Sequence, residues 1–143
     1  ELAQWITDNR LPLCHVFTVD DLKYLHRGGR VSKTAAIAGS ILGIKPLLHV
    51  DNEGHLIPVG KIRGRKQSIE KLVDMMCERM GNWDNSTVAV CHGDCLSDAE
   101  YAADLMRKKL GKKTTVHICY TGAVIGSHSG PGTLALFFMG DQR

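Results

Sequence analysis

Aromatic residues are scarce, at 6% of 143 residues. None stands inside the most basic stretch, Lys61-Ile62-Arg63-Gly64-Arg65-Lys66, and the net charge is only +3. Single-stranded nucleic acids are held by aromatic platforms set among cations, so a nucleic-acid partner is not expected. No apolar run is long enough to cross a bilayer. The nearest, Ala35 to Leu48, is broken by Gly39, Ser40, Gly43, Lys45 and Pro46. A secretory signal pattern is also missing, and a cytoplasmic protein is expected. Cys91-His92-Gly93-Asp94-Cys95 has no second cysteine pair to complete a metal site, so no metal is expected. There is no Gly-Lys-Ser/Thr after the Gly-Pro-Gly of residues 130–132, which excludes a P-loop. Neither a nucleophile elbow nor an acid partner for His128 can be found, so no catalytic residue is assigned.

What is present is one domain's worth of chain, 43% apolar, enough to form a core without disulfides. The five cysteines are an odd number, and Cys77, Cys91 and Cys119 lie in apolar runs. Buried thiols in a reducing compartment are expected. The chain opens inside a helix-like pattern (Leu2, Trp5, Ile6) with no capping residue before it. It reads as a piece of a longer protein.

Leu13 to Val19 reads as a buried strand. Thr18 is expected to cap a short helix that ends at Gly28-Gly29. Ser32 is expected to cap a second helix through Ile41 to Gly43. Residues 47–50 and 55–59 form a predicted hairpin, with Pro58 marking an edge strand. Ser68 to Met80 is amphipathic, with Ile69, Leu72, Val73, Met76 and Met80 on one face. Thr87 to Cys91 and Thr114 to Tyr120 are predicted parallel strands joined by a helix that a Ser97/Glu100 capping box would start. A glycine-rich turn over 126–133 then leads into an apolar strand, Leu134 to Met139. The order indicates a mixed α/β (α+β) domain, a mixed sheet flanked by helices.

Three stretches could carry chemistry. Gly126-Ser127-His128-Ser129-Gly130-Pro131-Gly132-Thr133 puts hydrogen-bonding groups beside an apolar run, as an amphiphile's polar head and tail require; an incidental surface turn is the plain alternative. His26-Arg27-Gly28-Gly29-Arg30 could clamp an anion, or could be cations at a helix C-terminus. Lys61 to Lys66 sets cations before a helix N-terminus, where they oppose the dipole; a phosphate or partner contact and a solvated charge run both remain open. His15, His49, His55 and His117 are read as structural.

Taken together, the segments Phe17-Thr18-Val19-Asp20-Asp21-Leu22, Leu25-His26-Arg27-Gly28-Gly29-Arg30-Val31-Ser32, Ile44-Lys45-Pro46-Leu47-Leu48, Gly60-Lys61-Ile62-Arg63-Gly64-Arg65-Lys66 and Gly126-Ser127-His128-Ser129-Gly130-Pro131-Gly132 resemble the DegV family of bacterial lipid-binding proteins. The resemblance implies the C-terminal domain of a two-domain fold, spanning 1–143, with the N-terminal domain absent from this chain. It implies a long-chain fatty acid as ligand, no cofactor, and a carboxylate held near His128 with Ser127 and Ser129. It implies a fatty acid kinase catalytic subunit as partner, which would make the acyl phosphate for phospholipid synthesis. Arg27, Arg30, Arg63 and Arg65 would face that partner or its phosphates. The protein would then be a non-catalytic subunit with transient membrane contact at most. With half the tunnel wall missing, the isolated chain would expose apolar surface and associate. The alternative is a stand-alone hydrolase or phosphotransferase using His128 with Ser129.

Overall fold

The computed structural model describes residues 1–32, 43–111, 113–141 and 143. Eleven elements are described: α1 (Leu2–Asn9), β1 (Leu13–Thr18), α2 (Leu22–Arg27), β2 (Ile44–Val50), β3 (Leu56–Arg63), α3 (Arg65–Arg79), β4 (Thr87–His92), α4 (Leu96–Leu110), β5 (Thr115–Tyr120), α5 (Ala123–Ser129) and β6 (Leu134–Met139). The six strands form one mixed sheet in the order β3-β2-β1-β6-β4-β5. Every neighbouring pair is antiparallel except β4–β5, which is parallel and in register from Thr87↔Thr115 to His92↔Tyr120. The predicted parallel pair and the predicted hairpin are therefore both present. Pro58 lies on β3, an edge strand, beside a bulge that shifts register between Leu47 and Leu48.

Strand periodicity decides which side chains meet which layer. On β6, Leu134, Leu136 and Phe138 are buried, while Ala135, Phe137 and Met139 are half-buried on the other face. The first set joins Val16, Val88 and Val90 under helices α3 and α4. Helix α3 contributes Ile69, Leu72, Val73 and Met76, all fully or nearly fully buried. Helix α4 contributes Ala99, Ala102 and Ala103, whose small side chains let it lie close to the sheet, and the large, fully buried Met106. Each large aliphatic side chain so buried contributes about 1.5–3 kcal/mol. A smaller cluster on the opposite face packs α2, through Leu22 and Leu25, onto Phe17, Val19 and Leu48.

Several boundaries differ from expectation. Asp21, not Thr18, caps α2, accepting from the Lys23 amide at 2.8 Å; Thr18 is still in the strand. Cys95 stands at the N-cap of α4 with no side-chain cap, so the Ser97/Glu100 box is not formed. Helix α3 begins three residues earlier than predicted, after Gly64 at φ 94. Residues 126–129, expected as part of the glycine-rich turn, are the end of helix α5; the turn itself is Pro131-Gly132. Cys119 is exposed rather than buried, because β5 is the other edge strand. The helix expected after Ser32 lies outside the described residues. Among the described residues no helix is long and apolar enough to cross a membrane.

Candidate functional site

One end of the sheet gathers all three candidate stretches. Strand β1 leaves the sheet there at Thr18, opposite Leu134 of β6, and β4 and β5 end beside them at His92 and Tyr120. The start of β2 and the end of β3 reach the same end, where Ile44 pairs with Arg63. Helix α2 follows β1, and α5 links β5 to β6. The two short helices therefore pack against each other.

Their contact is specific. The His128 ring rests on Gly28, so closely that a Cβ there would collide with the imidazole Nδ1. Gly130, at φ 81, lies under the Tyr24 ring; a Cβ there would sit 2.6 Å from its carbons. The Arg27 guanidinium stacks 5.1 Å from the centroid of that same Tyr24 ring. Arg30 folds back to donate to the Gly28 carbonyl. The histidine segment and the Arg-Gly-Gly-Arg turn, about a hundred residues apart in sequence, thus form one junction.

His128 itself is half-exposed. One turn earlier on α5, Val124 and Ile125 are exposed at 76% and 63%. Positions three and four residues apart share a helix face, so an apolar strip leads up to the imidazole. Tyr120 and Leu96 add exposed apolar surface at the same end of the sheet. Ser127 and Ser129 are less available than their sequence suggests. Ser127 Oγ donates to the Val124 carbonyl at 2.8 Å and Ser129 Oγ to the Ile125 carbonyl at 2.9 Å, and Ser129 is buried. Both hydroxyl protons are spent inside α5.

The four arginines divide. Arg27, Arg30 and Arg63 are exposed. Arg65 is only 20% exposed, and its Nε donates to Asp98 Oδ2 at 2.8 Å while Nη1 lies 3.9 Å from Asp20 Oδ1. Asp20 is held in turn by Lys45 Nζ at 2.7 Å. Arg65 therefore ties α3 to α4, and its position against the helix dipole is explained by two carboxylates rather than by a partner. No contact joins Arg63 or Arg65 to His128 among the described residues.

Residues that sequence reasoning passed over complete this end. Tyr24 is the surface on which Arg27 and Gly130 meet. His92 is buried, accepts from the Cys95 amide at 3.2 Å, and packs 4.4 Å from the Tyr120 ring. The hydroxyls of Thr18 and Thr121 are buried with no hydrogen-bond partner. Buried hydroxyls without partners cost stability, and here two of them lie at the end of the sheet that bears His128. Nothing in the local pattern of Thr-Val-Asp or Tyr-Thr-Gly signals this; it depends on how the strands end together.

A separate concavity of about 640 Å³ opens at the opposite end of the sheet, between Leu11, Pro12, His49, Asp51, Trp83 and Asp141. It holds none of the residues of the His128 junction. Buried polar atoms without a partner do not separate the two ends, since His49 and Arg143 in this lining carry them too; the seating of His128 on Gly28 marks the His128 end as the candidate.

The model of the family described as "Uncharacterised protein, DegV family" matches residues 1–141. A DegV domain-containing protein of Clostridium perfringens is 46% identical over 143 residues, all of this chain and 49% of that protein. The structure of DegV, a fatty acid binding protein from Bacillus subtilis, superposes with a TM-score of 0.72 at 32% identity, over 96% of this chain and 48% of that one. The Fatty Acid Kinase (Fak) B3 protein of Streptococcus pneumoniae, loaded with linoleic acid, shares the fold with a TM-score of 0.86 at 17% identity, over 98% of this chain and 49% of its own. The chain spans about half the length of the curated relatives it matches.

Proposed function

The chain belongs to the DegV family, and from that premise we propose that it is the C-terminal half of a two-domain protein that binds a long-chain fatty acid. The carboxylate is held at His128, and the first methylenes lie along Val124 and Ile125. The observation that carries this reading is the His128 junction: a half-exposed imidazole fixed on Gly28, with an exposed apolar strip one turn behind it. The description of the Bacillus subtilis relative as a fatty acid binding protein supports it. An imidazole N–H donates to a carboxylate without requiring a permanent counter-charge. Ser127 joins only by turning its hydroxyl away from the Val124 carbonyl, and Ser129 supports the helix from inside.

The role is binding and presentation rather than catalysis. A partner kinase brings ATP to the carboxylate. A carboxylate oxygen attacks the γ-phosphorus, the bond to the β-phosphate oxygen breaks, and ADP leaves the acyl phosphate behind. Arg27, Arg30 and Arg63, exposed at this end, steer that partner and its phosphates. The B3 neighbour supports the fold alone for this part of the reading. A stand-alone hydrolase is disfavoured: Ser129 is buried and donates to a backbone carbonyl, and among the described residues no carboxylate hydrogen-bonds His128.

Organic extraction of the purified protein, followed by mass spectrometry and by titration with a long-chain fatty acid, tests the reading. An acyl chain is expected to co-purify. Loss of a hydrogen bond to a charged group predicts that His128→Ala weakens binding about tenfold or more. No acyl chain and no saturable binding would overturn the proposal.

A further inference from the structure

Cys91 on β4 and Cys119 on β5 are direct partners in the parallel register. Partners in register point to the same face, and adjacent strands are about 4.8 Å apart. That spacing lies inside the Cα range a disulfide bridges, about 4.4–6.8 Å. Cys119 Sγ donates to the Val90 carbonyl, on the residue next to Cys91, at 3.6 Å. They sit on the sheet face away from α3 and α4, where Cys91 is half-buried and Cys119 exposed. Burial and the neighbouring thiol push the Cys91 thiol up to about 12, so at neutral pH it stays protonated beside its partner. Cys119 is the sulfur that a reagent in solvent meets first, and Cys91 is the one behind it.

We propose that Cys91 and Cys119 form a reversible two-thiol oxidation site whose substrate is a low-molecular-weight disulfide. Cys119 gives its proton to solvent, and its thiolate attacks one sulfur of the small disulfide. That S–S bond breaks, a mixed disulfide forms on Cys119, and the first small thiolate leaves and takes a proton from water. Cys91 gives its proton to solvent and attacks Cys119 Sγ, the mixed S–S bond breaks, and the second small thiolate leaves and takes a proton from water. The protein loses two electrons and two protons; the small disulfide gains both. Once Cys119 carries the mixed disulfide it no longer repels a charge on Cys91, which eases the second step. The product links the edge strand β5, which runs into α5 and His128, to its inner neighbour β4.

Oxidised glutathione is the probe. The purified chain is incubated with it, remaining thiols are alkylated, and the peptides are mapped by mass spectrometry. A Cys91–Cys119 linked peptide is expected as the main product, reversed by dithiothreitol. In Cys91→Ser, Cys119 is expected to accumulate as a stable glutathione adduct. In Cys119→Ser, Cys91 is expected to react at least about tenfold more slowly, as a protonated half-buried thiol should. A glutathione adduct persisting on Cys119 of the unsubstituted chain would overturn the proposal. So would a link between other cysteines, or no reaction at either residue. Far-UV circular dichroism of each variant confirms that it is folded when the reaction is read.

Discussion

Gly28 has an ordinary backbone, φ −78 and ψ −1, which any residue adopts. What keeps it small is the His128 ring lying against its α-carbon. Gly28→Ala is therefore a steric probe with no backbone strain mixed in. The added methyl must displace the imidazole, and overpacking of this kind costs about 1–3 kcal/mol. Fatty-acid affinity is expected to fall by a factor close to that of His128→Ala, measured by titration, while thermal unfolding shows only the modest loss. Unchanged affinity would mean that the imidazole does not need this seat. Gly130→Ala is not equivalent, because φ 81 and the Tyr24 ring both resist a side chain there.

Helices α3 and α4 are joined at their first turns by Arg65 and Asp98. The arginine is largely buried and charge-assisted, so Arg65→Ala is expected to destabilise the fold by about 1–3 kcal/mol. Arg63→Ala, at an exposed position on β3, is expected to stay within about 0.5 kcal/mol. Chemical denaturation of the two variants separates a structural arginine from one free to meet a partner. Equal losses would contradict the division. Sequence could not make it, since Arg63 and Arg65 look alike in one basic run and the carboxylates that distinguish them come from residues 20 and 98. The strands and the faces of α3 and α4 were legible because hydrophobic period survives packing. Helix α5 was not legible. Its Gly126, Ser127 and Ser129 are poor helix formers, and seven residues are too few for a period to emerge. It is held by its seat on α2. The junction of His128 with Gly28 was illegible for a related reason: it exists only because β6 runs alongside β1. Likeness to a family could place both segments in one site; spacing along the chain could not.

Across the whole molecule, acid should be destabilising through half-buried imidazoles. His15, packed edge-on 5.0 Å from the Phe137 ring, has its pKa lowered chiefly by burial, and His49 is lowered for the same first reason. A histidine held neutral in the folded state binds fewer protons than the unfolded chain below about pH 6.5. Stability is then full above that value and declines as pH falls from it toward the folded pKa. Unfolding midpoints measured from roughly pH 7 to 5 should fall, and His15→Phe should flatten that slope while keeping the contact with Phe137. A slope unaffected by the change would assign the acid loss elsewhere.

Strand β6 is last in sequence yet sits in the middle of the sheet, between β1 and β4. During synthesis this sets an order of events. The β2–β3 hairpin and the β4–α4–β5 unit are local and can form as they leave the ribosome. They remain two separate pieces, each with an unpaired strand flank, until Leu134 to Met139 emerges and zips between them. Closing this sheet therefore waits for β6, and the same stroke brings the imidazole-bearing helix onto Gly28. A nascent chain that stalls before Leu134 lacks both the complete sheet and the strand that sets His128 against Gly28.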